Sequence, residues 1–328
     1  MNDRAVGLLE QYEIALQRTR KGRGAIICET EQGCMIFKEY TGNVEKLVLQ
    51  KEILDHVREE GDLFVESIVP TKEGLLYVKD NDGTTYILKT YLQGRECNIF
   101  DRTECMDVVK ELAVLHNQME FPTNLFATVP VFSQQKEYER HNKELVRVRK
   151  YLRQRSQKTP FEIRLQNSYE YFVDQAKEVA LAWGEHAAER AACLEHCTFC
   201  HGDYQYHNIL RTDQGWFIMN FEKCLRDDPV RDLYLLMRKL LEKTNWSVTL
   251  GRELIDAYES ERPLSVLSRT DLYYRLAYPE KFWKIVNFYY NSGKAWIPGR
   301  NLEKLEKLIA QEKEKHSFLR EVFGEQKG

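Results

Sequence analysis

The chain has 328 residues, long enough for one large domain or two smaller ones around a real hydrophobic core. Apolar residues make up 43% and charged residues 30%, the balance of an ordinary globular protein. With 48 Lys and Arg against 51 Asp and Glu the formal charge is −3, which argues against a binder that holds nucleic acid by electrostatics, and no run of about 18 apolar residues marks a membrane span.

In chain order, Met1 to Glu10 lack the basic start and apolar run of a secretory signal, so the reducing cytoplasm is the expected compartment. Leu8, Leu9, Tyr12 and Leu16 predict a helix over 4–18, followed by a basic turn from Arg18 to Arg23. Ala25–Thr30 and Cys34–Tyr40 read as a hairpin. Leu49, Ile53, Leu54 and Val57 then predict a helix over about 44–59. Leu63–Val69, Gly74–Lys79 and Thr84–Lys89 read as three more strands, the last two joined at Asp82-Gly83. From Asp101 the pattern is helical. The stretch Lys136–Lys158 carries nine Lys or Arg against three Glu and reads as a solvated face, ahead of a contact with nucleic acid or an acidic partner. A β-like island lies at Thr198–Asn220, helices resume at Val230, and Pro298-Gly299 precedes a last charged helix over about 301–318. The expected fold class is α+β, with a small β-rich lobe over 1–92 and a larger helical lobe over 93–328.

Chemistry concentrates at His201-Gly202-Asp203-Tyr204-Gln205-Tyr206-His207-Asn208. H-G-D-x-x-x-x-N suits a phosphotransfer loop, in which Asp203 orients and deprotonates an attacking hydroxyl and Asn208 offers its carbonyl oxygen to Mg²⁺. Twelve residues on, Asn220 stands where such enzymes use an Asp to grip the metal. Mg²⁺ prefers anionic oxygen, so a neutral amide weakens the site. Glu222 projects to the same side of an extended segment and can supply the carboxylate, or is merely solvated. Lys38, late in the second strand, is the candidate for the nucleotide phosphates, and Glu52 on the following helix is its candidate partner. Gly22 and Gly24 give only the G-x-G start of a phosphate-covering loop. Asp232 opens a helix and reads as a structural brace.

Other patterns read as structural. Cys197-Thr198-Phe199-Cys200-His201 matches the haem c attachment pattern, and Cys193, His196, Cys197, Cys200 and His201 are clustered, but no second ligand pair for zinc appears. The eight cysteines are too sparse for a disulfide scaffold and read as small buried residues. The aromatic run from Tyr273 to Trp296 reads mostly as helical core, with some rings available to wall a substrate pocket.

The lobe order, Lys38, the H-G-D loop and the Asn220 slot resemble the aminoglycoside phosphotransferase and choline kinase branch of the kinase-like fold. The whole chain resembles the CotS family of spore coat proteins. That likeness rests on Arg20–Ala25, Tyr86–Lys89, Gly94–Cys97, Leu112–His116, His201–Leu210, Asn220–Glu222 and Tyr278–Lys284. The resemblance implies a two-lobed kinase-like fold, synthesis in the mother cell of a spore-former and deposition on the spore coat among other spore coat proteins. It implies ATP and Mg²⁺ as cofactors. Asn220 and the incomplete glycine loop predict weak or absent turnover. The alternatives are an active ATP- and Mg²⁺-dependent phosphotransferase acting on a sugar or other hydroxylated small molecule, and a scaffold that binds ATP without transfer.

Overall fold

A computed structural model describes residues 3–22, 24–122, 124–193, 197–291 and 298–324. They group into two compact units: residues up to Glu120 together with Phe199–Leu225, and Phe121–Thr198 together with the residues from Arg226 onward. Residues 93–120 and the H-G-D segment thus group with the N-terminal strands, unlike the break expected at 92.

In the first unit a 3-10 helix over Asp3–Gln11 leads into β1 (Leu16–Gly22), β2 (Ala25–Thr30) and β3 (Gly33–Glu39). Helix α1 (Lys46–Glu60) follows, then β4 (Phe64–Val65), β5 (Ile68–Val69), β6 (Val78–Lys79), β7 (Thr85–Thr90), β8 (Arg95–Glu96) and α2 (Arg102–Gln118). The chain leaves through β9 (Glu120–Phe121), returns through β10 (Cys197–Cys200), forms the hairpin β11 (Ile209–Thr212) and β12 (Gly215–Ile218), and leaves again at β13 (Leu225–Arg226).

The main sheet runs β1-β2-β3-β7-β5, with β6 also on β7. One face packs Phe37 on Tyr86, with ring centroids 5.2 Å apart, and buries Tyr12, Met35 and Leu88 around them. The β3–β7 register sets Lys38 opposite Ile87 and Ile36 opposite Lys89. Side chains alternate across a strand, so both lysines stand on the face away from that cluster. A second sheet runs β4-β12-β11-β8, with β4 parallel to β12. Asp101 caps α2, accepting hydrogen bonds from the Thr103 and Glu104 amides at 2.9 and 3.2 Å.

Three expectations are corrected. The helix predicted over 4–18 stops at Gln11, and most of the expected basic turn is β1, an edge strand. Charged side chains at an edge block further pairing, so its sequence does not look like a buried strand. The single strand expected over Leu63–Val69 is two, β4 and β5, in different sheets, with buried Glu66 and Ser67 between them.

The second unit is helical: α3 (Gln134–Gln154), α4 (Pro160–Glu185), α5 (Ala187–Cys193), α6 (Val230–Lys243), α7 (Val248–Glu259), α8 (Val266–Ala277), α9 (Glu280–Asn291), α10 (Pro298–Ala310) and α11 (Glu312–Phe323). The last helix expected over 301–318 is therefore two, broken at Gln311. Thr159 and Glu162 form a capping box at the start of α4, with Pro160 in its first turn. The aromatic run is largely core: Tyr278 stacks on Tyr138 at 4.0 Å and Phe282 on Phe172 at 4.4 Å, whereas Phe288 is half exposed. Trp296 lies outside the described residues.

Candidate active site

The loop after β10 is fixed at both ends. His201 is fully buried; its Nδ1 accepts from the Asp203 amide at 3.1 Å and its Nε2 lies 3.0 Å from the Met219 carbonyl. One nitrogen must accept and the other donate, which sets the neutral Nε2–H tautomer. Gly202 has φ +79°, and a Cβ there would sit 2.1 Å from the Lys223 carbonyl oxygen, so only glycine fits. The Tyr204 hydroxyl donates to the Val108 carbonyl at 2.8 Å. Asn208 is buried in a 3-10 turn, and its Nδ2 donates back to the Asp203 carbonyl at 2.8 Å.

Both Asp203 carboxylate oxygens are engaged. Oδ2 lies 2.9 Å from Lys223 Nζ, and Oδ1 accepts from the Gln205 amide. Burial works to raise the Asp203 carboxyl, but the Lys223 ammonium and the Gln205 amide outweigh it and hold the group below the usual aspartate range.

The second half of the site hangs on Asn220, which follows β12 in the left-handed conformation with φ 70°. Asn tolerates that conformation better than most residues. The turn points two amides at Glu66: Asn220 N–H at 2.8 Å and Phe221 N–H at 3.0 Å. Glu66 also takes Lys89 Nζ at 2.6 Å. Glu222 Oε1 receives two ammonium groups, Lys89 at 2.8 Å and Lys38 at 2.9 Å. Both lysines also reach Asn220 Oδ1, at 3.5 and 3.4 Å. Asn220 Nδ2 donates to Asn208 Oδ1 at 2.9 Å and joins this cluster to the loop.

Burial favours the neutral form of Glu222, but Lys89 and then Lys38 overcome it and hold the carboxyl at about 2. Lys89 is fully buried, which by itself lowers an ammonium pKa. Glu66 and Glu222 reverse that and raise it.

The structure brings together Lys38, Asp203, Asn208, Asn220 and Glu222. It does not bring Glu52 to them. Glu52 is exposed on α1, and the carboxylate on Lys38 is Glu222 instead. Glu52 lies beside the apolar stripe of its helix, one position before the buried Ile53, and that position faces solvent. Gly22 ends β1 paired with Ala25, and Gly24 makes the turn to β2 at φ +70°; Arg23 between them lies outside the described residues. Asp232 is buried in the first turn of α6. Of the cluster weighed for zinc, Cys200 is buried and His196 lies outside the described residues.

Sequence reading missed Lys89, Glu66, Gln205 and Lys223. Two of these left a signal: Lys89 ends the apolar run Tyr86-Ile87-Leu88, and Glu66 interrupts the apolar run Leu63–Val69. A charge inside a buried strand needs a partner.

Residues 6–322 match the family model described as "Spore coat putative kinase YutH". The chain is 24% identical over 323 residues to spore coat protein S of Bacillus subtilis (strain 168), covering 93% of this chain and 88% of that one. An aminoglycoside phosphotransferase from Alicyclobacillus acidocaldarius superposes with a TM-score of 0.82 at 19% identity, covering 98% of this chain and 95% of that chain. A spectinomycin phosphotransferase in complex with ADP and spectinomycin superposes with a TM-score of 0.66 at 12% identity, covering 95% and 98%. Structural likeness at such identities establishes the fold, which is the kinase-like fold of aminoglycoside phosphotransferases. Among the described residues no helix is long and apolar enough to cross a membrane.

Proposed function

The chain belongs to the spore coat YutH family, and from that premise we propose that it is a spore coat protein whose phosphotransfer centre is closed by its own side chains and turns over ATP weakly or not at all. It is made in the mother cell and takes its place among other spore coat proteins. The reading is supported most by one contact, the hydrogen bond from Asn220 Nδ2 to Asn208 Oδ1 at 2.9 Å. That oxygen is the one Asn208 would offer to Mg²⁺. The other amide oxygen, on Asn220, faces two ammonium groups, as does Glu222. A hard dication requires oxygens turned toward it and prefers them anionic. Here two are neutral, one of these already accepts an amide proton, and the only carboxylate among the three is held by lysines. The donor set does not fit Mg²⁺ as it stands.

Retention of Asp203, Asn208 and Lys38 supports a second reading, an ATP- and Mg²⁺-dependent phosphotransferase acting on a hydroxylated small molecule. It requires Lys223 to release Asp203 and both lysines to leave Glu222. Melting temperature with ATP, with Mg²⁺ and with both separates the readings. Ligand at a hundred times its Kd adds about 2.7 kcal/mol of stability, a visible shift. The wild-type chain is expected to show no Mg²⁺-dependent shift. Asn220→Asp, which adds an anionic oxygen beside Asn208, is expected to gain one. A Mg²⁺-dependent ATP shift in the wild type, with release of ADP, would establish the second reading instead.

A further inference from the structure

Helix α3 presents a feature that the phosphotransfer centre does not use. Lys136, Arg140, Lys143, Arg147 and Lys150 recur at intervals of four and three, so they form one straight stripe. All five are exposed, and they lie opposite the buried stripe Tyr138, His141, Leu145, Val148 and Leu152. Glu137 and Glu144 hold Arg140 at 3.0 Å or less. Among the described residues, Lys136, Lys143, Arg147 and Lys150 make no ion pair. Four unneutralised cations on one helix face stand out in a chain whose formal charge is −3.

The stripe borders a groove between α3 and α9 of about 120 Å³, lined by Arg147, Val148, Tyr151, Trp283, Val286 and Tyr290. Tyr151 is 57% exposed and stacks on Tyr290 at 6.2 Å. The groove's carboxylate, Glu144, is already committed: it accepts from Trp283 Nε1 at 2.7 Å and from Arg140 at 3.0 Å. An apolar cavity of about 150 Å³ takes up benzene, so the groove has the scale of one aromatic side chain.

We propose that this face docks an acidic polypeptide segment that lays carboxylates along the stripe and one aromatic side chain into the groove. Charge complementarity selects an anionic partner. From Lys136 to Lys150 a helix rises roughly 21 Å, the span of about six extended residues. Single-stranded nucleic acid is the weaker match. It uses aromatic rings along the strand to stack successive bases, and among the described residues the stripe is bordered by one exposed ring, Tyr151.

The test is fluorescence anisotropy on the full chain with three labelled probes: a peptide of about ten Asp and Glu residues with a central Phe, the same peptide with Ser in its place, and an oligonucleotide of about ten nucleotides. The Phe peptide is expected to bind about tenfold more tightly than the Ser peptide, and salt to weaken both. The exposed-site variant K143E/R147E/K150E, checked for native circular dichroism, is expected to lose both peptides by at least about tenfold. Y151A is expected to remove the preference for Phe and retain binding of the Ser peptide. Absence of peptide binding at low salt overturns the proposal, as does unchanged affinity in the folded charge-reversal variant. Tighter binding of the oligonucleotide than of either peptide also overturns it and assigns the face to nucleic acid.

Discussion

Replacing Lys89 by Met keeps most of its apolar length and removes its charge. Glu66 and Glu222 then lose their shared ammonium in a site where Lys89 and Glu66 are almost wholly buried. Breaking a buried pair leaves an uncompensated charge, so K89M is expected to lower the free energy of unfolding by about 3–5 kcal/mol at neutral pH, measured in urea. The pH dependence of the same cluster has a fixed sign. Glu222 is held at about 2 against an ordinary 4.5, so its contribution is complete above 4.5 and is lost as pH falls toward 2. The gap between wild type and E222Q in urea titrations is expected to shrink over that window, by on the order of 3 kcal/mol. A gap that stays constant would show that Glu222 titrates normally. Asp203 is lowered too but is common to both proteins and cancels in the comparison. At this scale the sequence reveals the loop residues, because their spacing is local. Glu66 and Lys89 escape because their partners are remote: Glu66 accepts from the Asn220 and Phe221 amides, 154 and 155 positions on, and Lys89 pairs with Glu222, 133 positions on, and no local pattern encodes such pairings.

Helices α7 and α11 approach so closely at Gly251 that a Cβ there would lie 2.1 Å from the Phe318 ring, itself fully buried. G251A improves helix propensity yet forces the ring aside, and overpacking wins: a loss of about 1–3 kcal/mol is expected in thermal or urea unfolding. A stabilised variant would show that the ring moves freely. Helices were the elements most open to reading, since α1, α2 and α3 carry their apolar stripe and α2 its Asp101 cap in plain sequence. Strand β1 was hidden because an edge strand rich in Arg and Lys has no apolar alternation. The split of β4 from β5 was hidden because both halves are apolar and only pairing tells them apart.

The first unit is not one stretch of chain. Its second sheet pairs β4 and β8 with β12 and β11, from beyond residue 198, and Glu222 and Asn220 come from that same later stretch. A fragment ending at residue 120 therefore leaves β4 unpaired and Lys89 with Glu66 alone. It is expected to lack cooperative unfolding by circular dichroism and to be digested rapidly by protease; a sharp transition would show that the main sheet suffices. A composition shift near residue 92 marks where strands give way to helices, but it cannot show that a later segment folds back among the earlier strands.

The four charges gathered around Asn220 cancel: Lys38 and Lys89 are balanced by Glu66 and Glu222. Asp203 and Lys223 cancel in the same way beside them. An aspartate at 220 would leave the group one negative charge in excess and in need of a counter-ion, whereas the amide leaves it neutral. On the proposed reading the centre needs no dissolved ion to balance it, so neither a chelator nor drying is expected to change its stability.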